Sequence, residues 1–419
     1  MVSPSREGSE SISIIEPHLT AAPTSKGAFT HNLARFQQEN GYERTSSINP
    51  DCAHVPKPAL ASSVHGRWRS IALPVIAGSV LWANAALGAG TQLVQMIPIP
   101  GAPLASYDIS WVDPTHHHYY LADRSNAGVD IFDTRTNEFV GRVGGFVGFT
   151  GSNDTSGPDG LVGDGDHLYA GNGDSTLKVI DVDSMQIINS VNTGGAKRVD
   201  EMALDTAGQR LLVVNNADEP AFMTLISTKK GNPILFGHVT VPGATAGLEQ
   251  PVWNQKTKRF YISVPELNGN AAQSGVAVFD PRTGMVENVF AVGNCGPSGI
   301  ALGPSQHLLL GCAQRPSIVI NAETGQLVAS IPQVGGSDEV WFNPGDDRYY
   351  LAARNDPGGP ALGIVDAETN LWIQNVPTSP NSHSVAADPR SNQIYVPLTA
   401  NPASPCVLGC IGVFQDTDN

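Results

Sequence analysis

The sequence predicts an all-β protein: a seven-bladed β-propeller over residues 90–419, closed by an N-terminal strand at about residues 93–99. Three observations lead there. The chain is rich in Gly (44) and Pro (31), and no long stretch shows the i, i+3, i+4, i+7 apolar spacing of an amphipathic helix. One frame of residues recurs seven times. The last repeat stops one strand short, while an unassigned apolar strand precedes the first.

Each repeat opens with a polar residue and a short apolar stretch, then Asp, Asn or Gly five positions later. The openings run Asp108 to Asp113, Asp159 to Asp164, Asp200 to Asp205, Glu249 to Asn254, Ser298 to Gly303, Asp338 to Asn343 and His383 to Asp388. A second apolar strand follows each turn: His118 to Ala122, His167 to Ala170, Arg210 to Val214, Arg259 to Val264, His307 to Gly311, Arg348 to Ala352 and Gln393 to Leu398. Third strands often end on Asp or Asn, as in Val129 to Asp133, Val276 to Asp280 and Ile318 to Asn321. Turns such as Arg282-Thr-Gly and Glu323-Thr-Gly then lead to a fourth strand. Four short strands every forty or so residues make a propeller blade. The even period argues against a two-domain sandwich. The seventh repeat ends near Phe414, so Leu93 to Ile99 is expected to supply its outer strand and hide two open edges.

The first ninety residues read differently. Residues 1–63 have no sustained apolar period and are expected to be a disordered extension or a mis-assigned start, with Val64 as a candidate initiation site. Arg67-Trp68-Arg69, the apolar run Ile71 to Trp82 and Ala83-Asn84-Ala85 follow the order of a secretory signal, assigned to 64–89. The run is short for a transmembrane span. A periplasmic or secreted protein is therefore expected, with no membrane span in the mature chain.

Four cysteines remain beyond the signal: Cys295, Cys312, Cys406 and Cys410. In an oxidising compartment an even count suggests two local disulfides. A zinc site built from all four is the sharper alternative, but the pairs fall in different blades and no CxxC is present.

Residues 90–419 carry 17 Lys/Arg against 33 Asp/Glu, a net charge of −16. That balance disfavours nucleic acid and anionic membrane surfaces, and suits a cation or a small molecule. Strong charge and closed edges favour a monomer. There is no Gly-x-Ser-x-Gly elbow, His-Glu-x-x-His or phosphate loop.

The Asp-turn-Thr-Gly blade ends, with strands like Gln393 to Val396, resemble YVTN-type seven-bladed propellers, a group similar to lactonase-type and cytochrome-d1-type propellers. The resemblance covers roughly residues 90–416 and rests on turn chemistry. It implies the fold. It carries no catalytic signature, and its members include enzymes, surface-layer proteins and periplasmic proteins.

In a propeller the first strand of each blade lines the central channel, so the opening residues should converge. Asp108, Asp159, Asp200, Glu249, Ser298, Asp338 and His383 would form the inner ring of one face, five of the seven acidic. Arg124, Asn172, Asn215, Asn216, Glu266, Arg315, Arg354 and Asn355, at second-strand ends, would ring them, and Glu201, Gln250 and Glu339 follow the openings. Crowded carboxylates repel unless a cation, arginine pairing or raised pKa values offset them. An Asp at a strand start also serves simply to cap a turn.

The assignments expected are these. His383, Asp200 and Glu249 are the candidate catalytic acid–base groups. Arg124, Asn172, Asn216, Arg354, Asn355 and Glu339 would contact the ligand. Asp108, Asp159 and Asp338 would hold Ca²⁺ or Mg²⁺. Two functions stay open: a binding or scaffold protein holding a small molecule, cation or partner, and a metal-assisted hydrolase or lyase acting on a lactone, glycoside or uronate-like substrate. His116-His117-His118 and Asp164-Gly-Asp166 are read as solvated turns. The loop Val147 to Gly157 is either a lid or a longer connection.

Overall fold

The computed structural model describes residues 90–229 and 234–417. The extension at 1–63, the signal segment at 64–89 and Cys52 lie outside the described residues.

Seven four-stranded antiparallel sheets follow one another along the chain. Blades 1 to 6 span 110–144, 161–192, 202–239, 251–293, 297–331 and 340–377. Blade 7 is assembled from both ends of the domain, with strands at 386–387, 394–398 and 410–416 completed by Thr91–Pro98. The closing strand pairs antiparallel with Cys410–Asp416, from Thr91 opposite Asp416 to Pro98 opposite Cys410. The strand expected at 93–99 therefore begins two residues earlier and ends one residue earlier, in the expected role.

Burial explains the recurring frame. Second and third strands are sandwiched between neighbouring blades and must be apolar on both faces: five of the six residues of Arg210–Asn215 are buried, as are all six of Phe222–Ser227. Outer strands touch protein on one side only, so Gln186–Asn192 alternates between partly buried and exposed positions. Packing between blades then forms the core. Tyr119, Leu121 and Phe132 of blade 1 cluster with Ala386, Tyr395, Ile411 and Val413 of blade 7.

The Asp/Asn-turn signature has a direct cause. The side-chain oxygen at the end of the third strand accepts backbone N–H bonds two and three residues on: Asp133 from Arg135 (2.8 Å) and Thr136 (3.1 Å), Asn321 from Glu323 (2.9 Å) and Thr324 (3.0 Å). The chain then passes through a left-handed residue, Asn137 at φ 55° or Gly325 at φ 70°. Asn and Gly adopt that geometry at little cost.

Cys295–Cys312 and Cys406–Cys410 are disulfide-bonded. The first ties the approach to the inner strand of blade 5 to the end of its second strand, with a Cα separation of 4.7 Å. Both thiol pairs are consumed in this way, so a metal site built from the four cysteines does not form. No helix among the described residues is long and apolar enough to cross a membrane.

Replacing Cys295 and Cys312 together by serine is expected to lower the unfolding free energy by about 3 kcal/mol, the loop-closure value for a loop of this size. Urea unfolding checks this, and the Cys406/Cys410 double serine variant should lose less.

Candidate functional site

Each inner strand starts at one face of the ring and runs down the channel, so seven openings from distant stretches of chain meet there. Asp108, Asp200, Glu249, Ser298, Asp338 and His383 all line one cavity of about 960 Å³ at that mouth. The predicted convergence thus holds for six of seven positions. Asp159 lies just behind, fully buried.

Guanidinium groups account for much of the charge. Arg124 is buried between two blades. Its Nε donates to Asp159 Oδ1 at 2.8 Å, its Nη2 to both Asp108 and Asp159, and its Nη1 to the Tyr107 carbonyl at 3.3 Å. Arg124 was expected to grip a ligand, but its donors are already engaged by the protein. Arg198 bonds Asp200 through Nε (2.9 Å) and Nη2 (2.6 Å), and Arg354 pairs with Asp338 at 2.9 Å.

Protons account for the rest. Burial raises Asp200 to about 6 against the pull of Arg198, and raises Glu339 to about 8. Burial and neighbouring carboxyls push Asp159, Glu201 and Glu249 well above the usual range. Asp108 is the exception. Burial opposes its ionisation too, but Arg124, His383 and Arg198 outweigh that and hold it well below the ordinary value.

His383 is fixed on both sides. Its ring stacks on Tyr107 at 4.5 Å between centroids, and Nδ1 lies 2.7 Å from the Asn381 carbonyl. A carbonyl only accepts, so Nδ1 carries the proton and Nε2 faces Asp108 Oδ1 at 3.5 Å. Both residues border the cavity.

Deeper in the channel, polar side chains join blades rather than wait for ligand. Glu339 accepts from Ser384 Oγ (2.5 Å) and the Val385 N–H (3.0 Å), and Ser384 accepts from the Ser110 N–H (2.8 Å). Gln250 Oε1 accepts from the N–H groups of Ile300 (2.8 Å) and Val340 (3.1 Å). The expectation that Glu339 contacts ligand therefore meets a carboxylate already bonded in the ring.

The three asparagines expected to contact ligand do not border the cavity. Asn172 accepts the Val147 N–H (3.1 Å) and shapes the interblade loop. Asn216 donates to Glu249 Oε1 at 3.2 Å. Asn355 is exposed, and its N–H bonds the Gly336 carbonyl. Arg315 pairs with Asp356. Among the described residues, no group of three or more His, Cys, Asp or Glu is spaced to hold a metal ion. His116 instead bonds its own turn through Asp113 at 2.9 Å.

Arg198 went unassigned in the sequence, although a signal existed: it stands two residues before an opening Asp in an extended segment, hence on the same side of the chain. The loop at 147–157 forms one wall of the mouth. Val147, Gly148, Phe149 and Asn153 line the cavity, and the Asn153 carbonyl receives Arg198 Nη1 at 3.3 Å.

No protein-family model and no curated protein sequence matches the chain. Solved structures do match in fold. A chain of the "Crystal Structure of Mitotic Checkpoint Complex" aligns with a TM-score of 0.58 and 14% identity, covering 86% of this chain and 99% of that one. A chain of "Kuenenia stuttgartiensis Hydrazine Synthase" aligns with a TM-score of 0.57 and 15% identity, covering 70% and 92% respectively. At such identities the likeness shows the β-propeller fold alone.

Stability should depend on the buried carboxyls in a definite direction. Glu339 rises from 4.5 to about 8 on folding, so its contribution is full below pH 4.5 and is lost as pH climbs toward 8. Glu201 and Glu249 act with the same sign. Urea unfolding at pH 5, 6, 7 and 8 should show stability falling across the series, and falling less steeply in Glu339→Gln. Identical slopes in the two proteins would contradict this assignment.

Proposed function

We propose that this chain is an exported propeller that binds a small polar molecule, bearing hydroxyl or carboxylate groups, at its acidic channel mouth. The observation that carries this reading is the pair of guanidinium–carboxylate couples bordering the cavity, one nearly buried and one partly exposed. Arg198–Asp200 belongs to blade 3 and Arg354–Asp338 to blade 6, three places apart in a ring of seven, so the two couples face each other across the opening. Each couple offers donors and acceptors together, the combination that hydroxyl-rich molecules use. Carboxyls held protonated by burial add further donors.

A small molecule suits the mouth better than Ca²⁺ or Mg²⁺. The three carboxylates expected to hold the metal, Asp108, Asp159 and Asp338, are each bonded to an arginine. A cation would have to displace guanidinium groups to gather its oxygen ligands. Export accords with the two disulfides and with the signal segment read at 64–89.

Acid–base chemistry is the second reading, favoured by one observation. Carboxyls of opposed character meet at the mouth: Asp108 held ionised, Asp200 raised to about 6, with His383 Nε2 beside the former. Paired groups whose proton affinities are pushed apart supply a general acid and a general base. A lyase or hydrolase acting on a lactone or uronate would use His383 and Asp200 in these roles.

Titration calorimetry with a panel of neutral sugars, uronates and lactones tests the proposal. Binding of at least one class is expected, weakened roughly ten- to hundredfold in Arg354→Met by loss of charge-assisted hydrogen bonds. Chelator should leave it unchanged. Silence across the whole panel, or affinity abolished by chelator, would sink this reading, and product formation lost in His383→Ala would establish the second.

A further inference from the structure

The other half of the channel is chemically the reverse of the mouth. A second cavity of about 330 Å³ borders the lower ends of the inner strands, with walls of Trp111, Trp253, Trp341, Phe342, Met202 and Leu302. Trp111 and Trp341 meet edge to face at 5.1 Å. The indole N–H of Trp253 is held by Gln255 at 3.0 Å, which fixes that ring in place. All three tryptophans are only partly buried, so their surfaces remain open to the cavity.

Glu201 connects the halves, for it borders both cavities. It is 6% exposed. No hydrogen bond or ion pair to its side chain is found among the described residues. An isolated carboxyl so deeply buried is costly, and the groups around it make matters worse. Asp200 of its own blade, Glu249 of blade 4 and Asp338 and Glu339 of blade 6 all oppose its ionisation. Blades 1 and 7 present Asp108 and His383 at the mouth above, blade 2 holds Asp159 buried behind it, and blade 5 presents uncharged Ser298. The cations that line the mouth cavity with it are committed elsewhere: Arg124 to Asp108 and Asp159, Arg198 to Asp200 and Arg354 to Asp338. Glu201 thus faces a space lacking a positive partner.

We propose that the apolar half of the channel binds a small organic ammonium ion, its hydrocarbon body among Trp111, Trp253 and Trp341 and its cationic head directed at Glu201. Cation and walls are complementary. Tryptophan faces attract ammonium groups through the ring quadrupole, and the acidic domain concentrates cations near its surface. An inorganic divalent ion fits less well, because it needs six or more oxygen ligands. Among the other polar side chains of this cavity wall, Gln250 Oε1 and Glu339 Oε2 are already bonded to blades 5, 6 and 7, and Thr206 offers a single hydroxyl. An anion would meet two carboxyls and no cationic side chain in this wall. This site lies apart from the guanidinium couples of the mouth, and its failure would leave the reading of that mouth untouched.

The test uses 2-phenylethylammonium chloride and its uncharged counterpart 2-phenylethanol, titrated into the whole protein and followed by tryptophan fluorescence and calorimetry. The ammonium ion is expected to bind at least about tenfold more tightly than the alcohol, the scale of a buried charge pair. Its affinity should rise from pH 6 to pH 8, a range in which an alkyl amine stays protonated, because binding requires Glu201 to ionise and releases its proton. Glu201→Gln should remove the preference for the ammonium ion and the pH dependence while keeping alcohol binding. Trp253→Leu should weaken both ligands. Equal affinity for the two ligands, or an ammonium affinity unchanged by Glu201→Gln, would overturn the proposal. So would binding that is lost in Arg354→Met but kept in Trp253→Leu.

Discussion

The pairing of Thr91–Pro98 with Cys410–Asp416 is the constraint on which the rest of the molecule depends. An open arc of six and three-quarter blades would leave the apolar faces of blades 1 and 7 unmatched and two strand edges free. Closure brings Tyr119 onto Tyr395 at 5.0 Å and sets the circumference of the channel. Only in a closed ring do Asp108 and His383, 275 positions apart in sequence, come within 3.5 Å. The chemistry of the mouth is therefore a property of the ring, and no single blade possesses it.

A ring that gathers so many carboxyls has to manage their repulsion, and two devices share the task. Three arginines pair with four acids: Arg124 holds Asp108 ionised and also bonds Asp159, whose own proton affinity is raised by burial. The acids lying deeper keep their protons, since burial penalises their ionised forms more than the nearby guanidinium groups reward them. The result is graded: ionised pairs at the rim, neutral carboxyls below, aromatic rings at the far end. Glu339, Ser384 and Gln250 use the same narrow space to bond one blade to the next, so structural and ligand-facing groups alternate down the channel.

The repeat was legible because each blade meets the same physical demands. Sandwiched strands must be apolar on both faces, and tight turns need Asp or Asn to receive backbone N–H groups. Those demands leave marks at fixed spacing, which is why blade number, inner ring and both disulfides could be read from residues alone. The site was legible only in part. Asp108, Asp200, Glu249, Asp338 and His383 reach the mouth because strand direction carries them there. Asn172 and Asn355 do not, because residues past a strand end follow their own loops, and no periodic rule governs where these point. Arg198 and the wall at 147–157 belong to connections between blades, where the repeat has nothing to say. The tryptophan cavity escaped for another reason. Trp111 and Trp341 occupy corresponding places in blades 1 and 6, with Trp253 one position further along the inner strand of blade 4, yet each alone looks like ordinary core, and their shared opening exists only after closure.

Because blade 7 is held together by hydrogen bonds rather than by continuous chain, the two ends of the domain lie side by side: the Gly90 carbonyl accepts from both the N–H (3.2 Å) and the hydroxyl (3.0 Å) of Thr417. The architecture has no intrinsic starting point. Linking these neighbours with a short tether and cutting the backbone between any two other blades would yield a circularly permuted chain with the same seven sheets. Its seam would move to the new cut while the channel kept its lining.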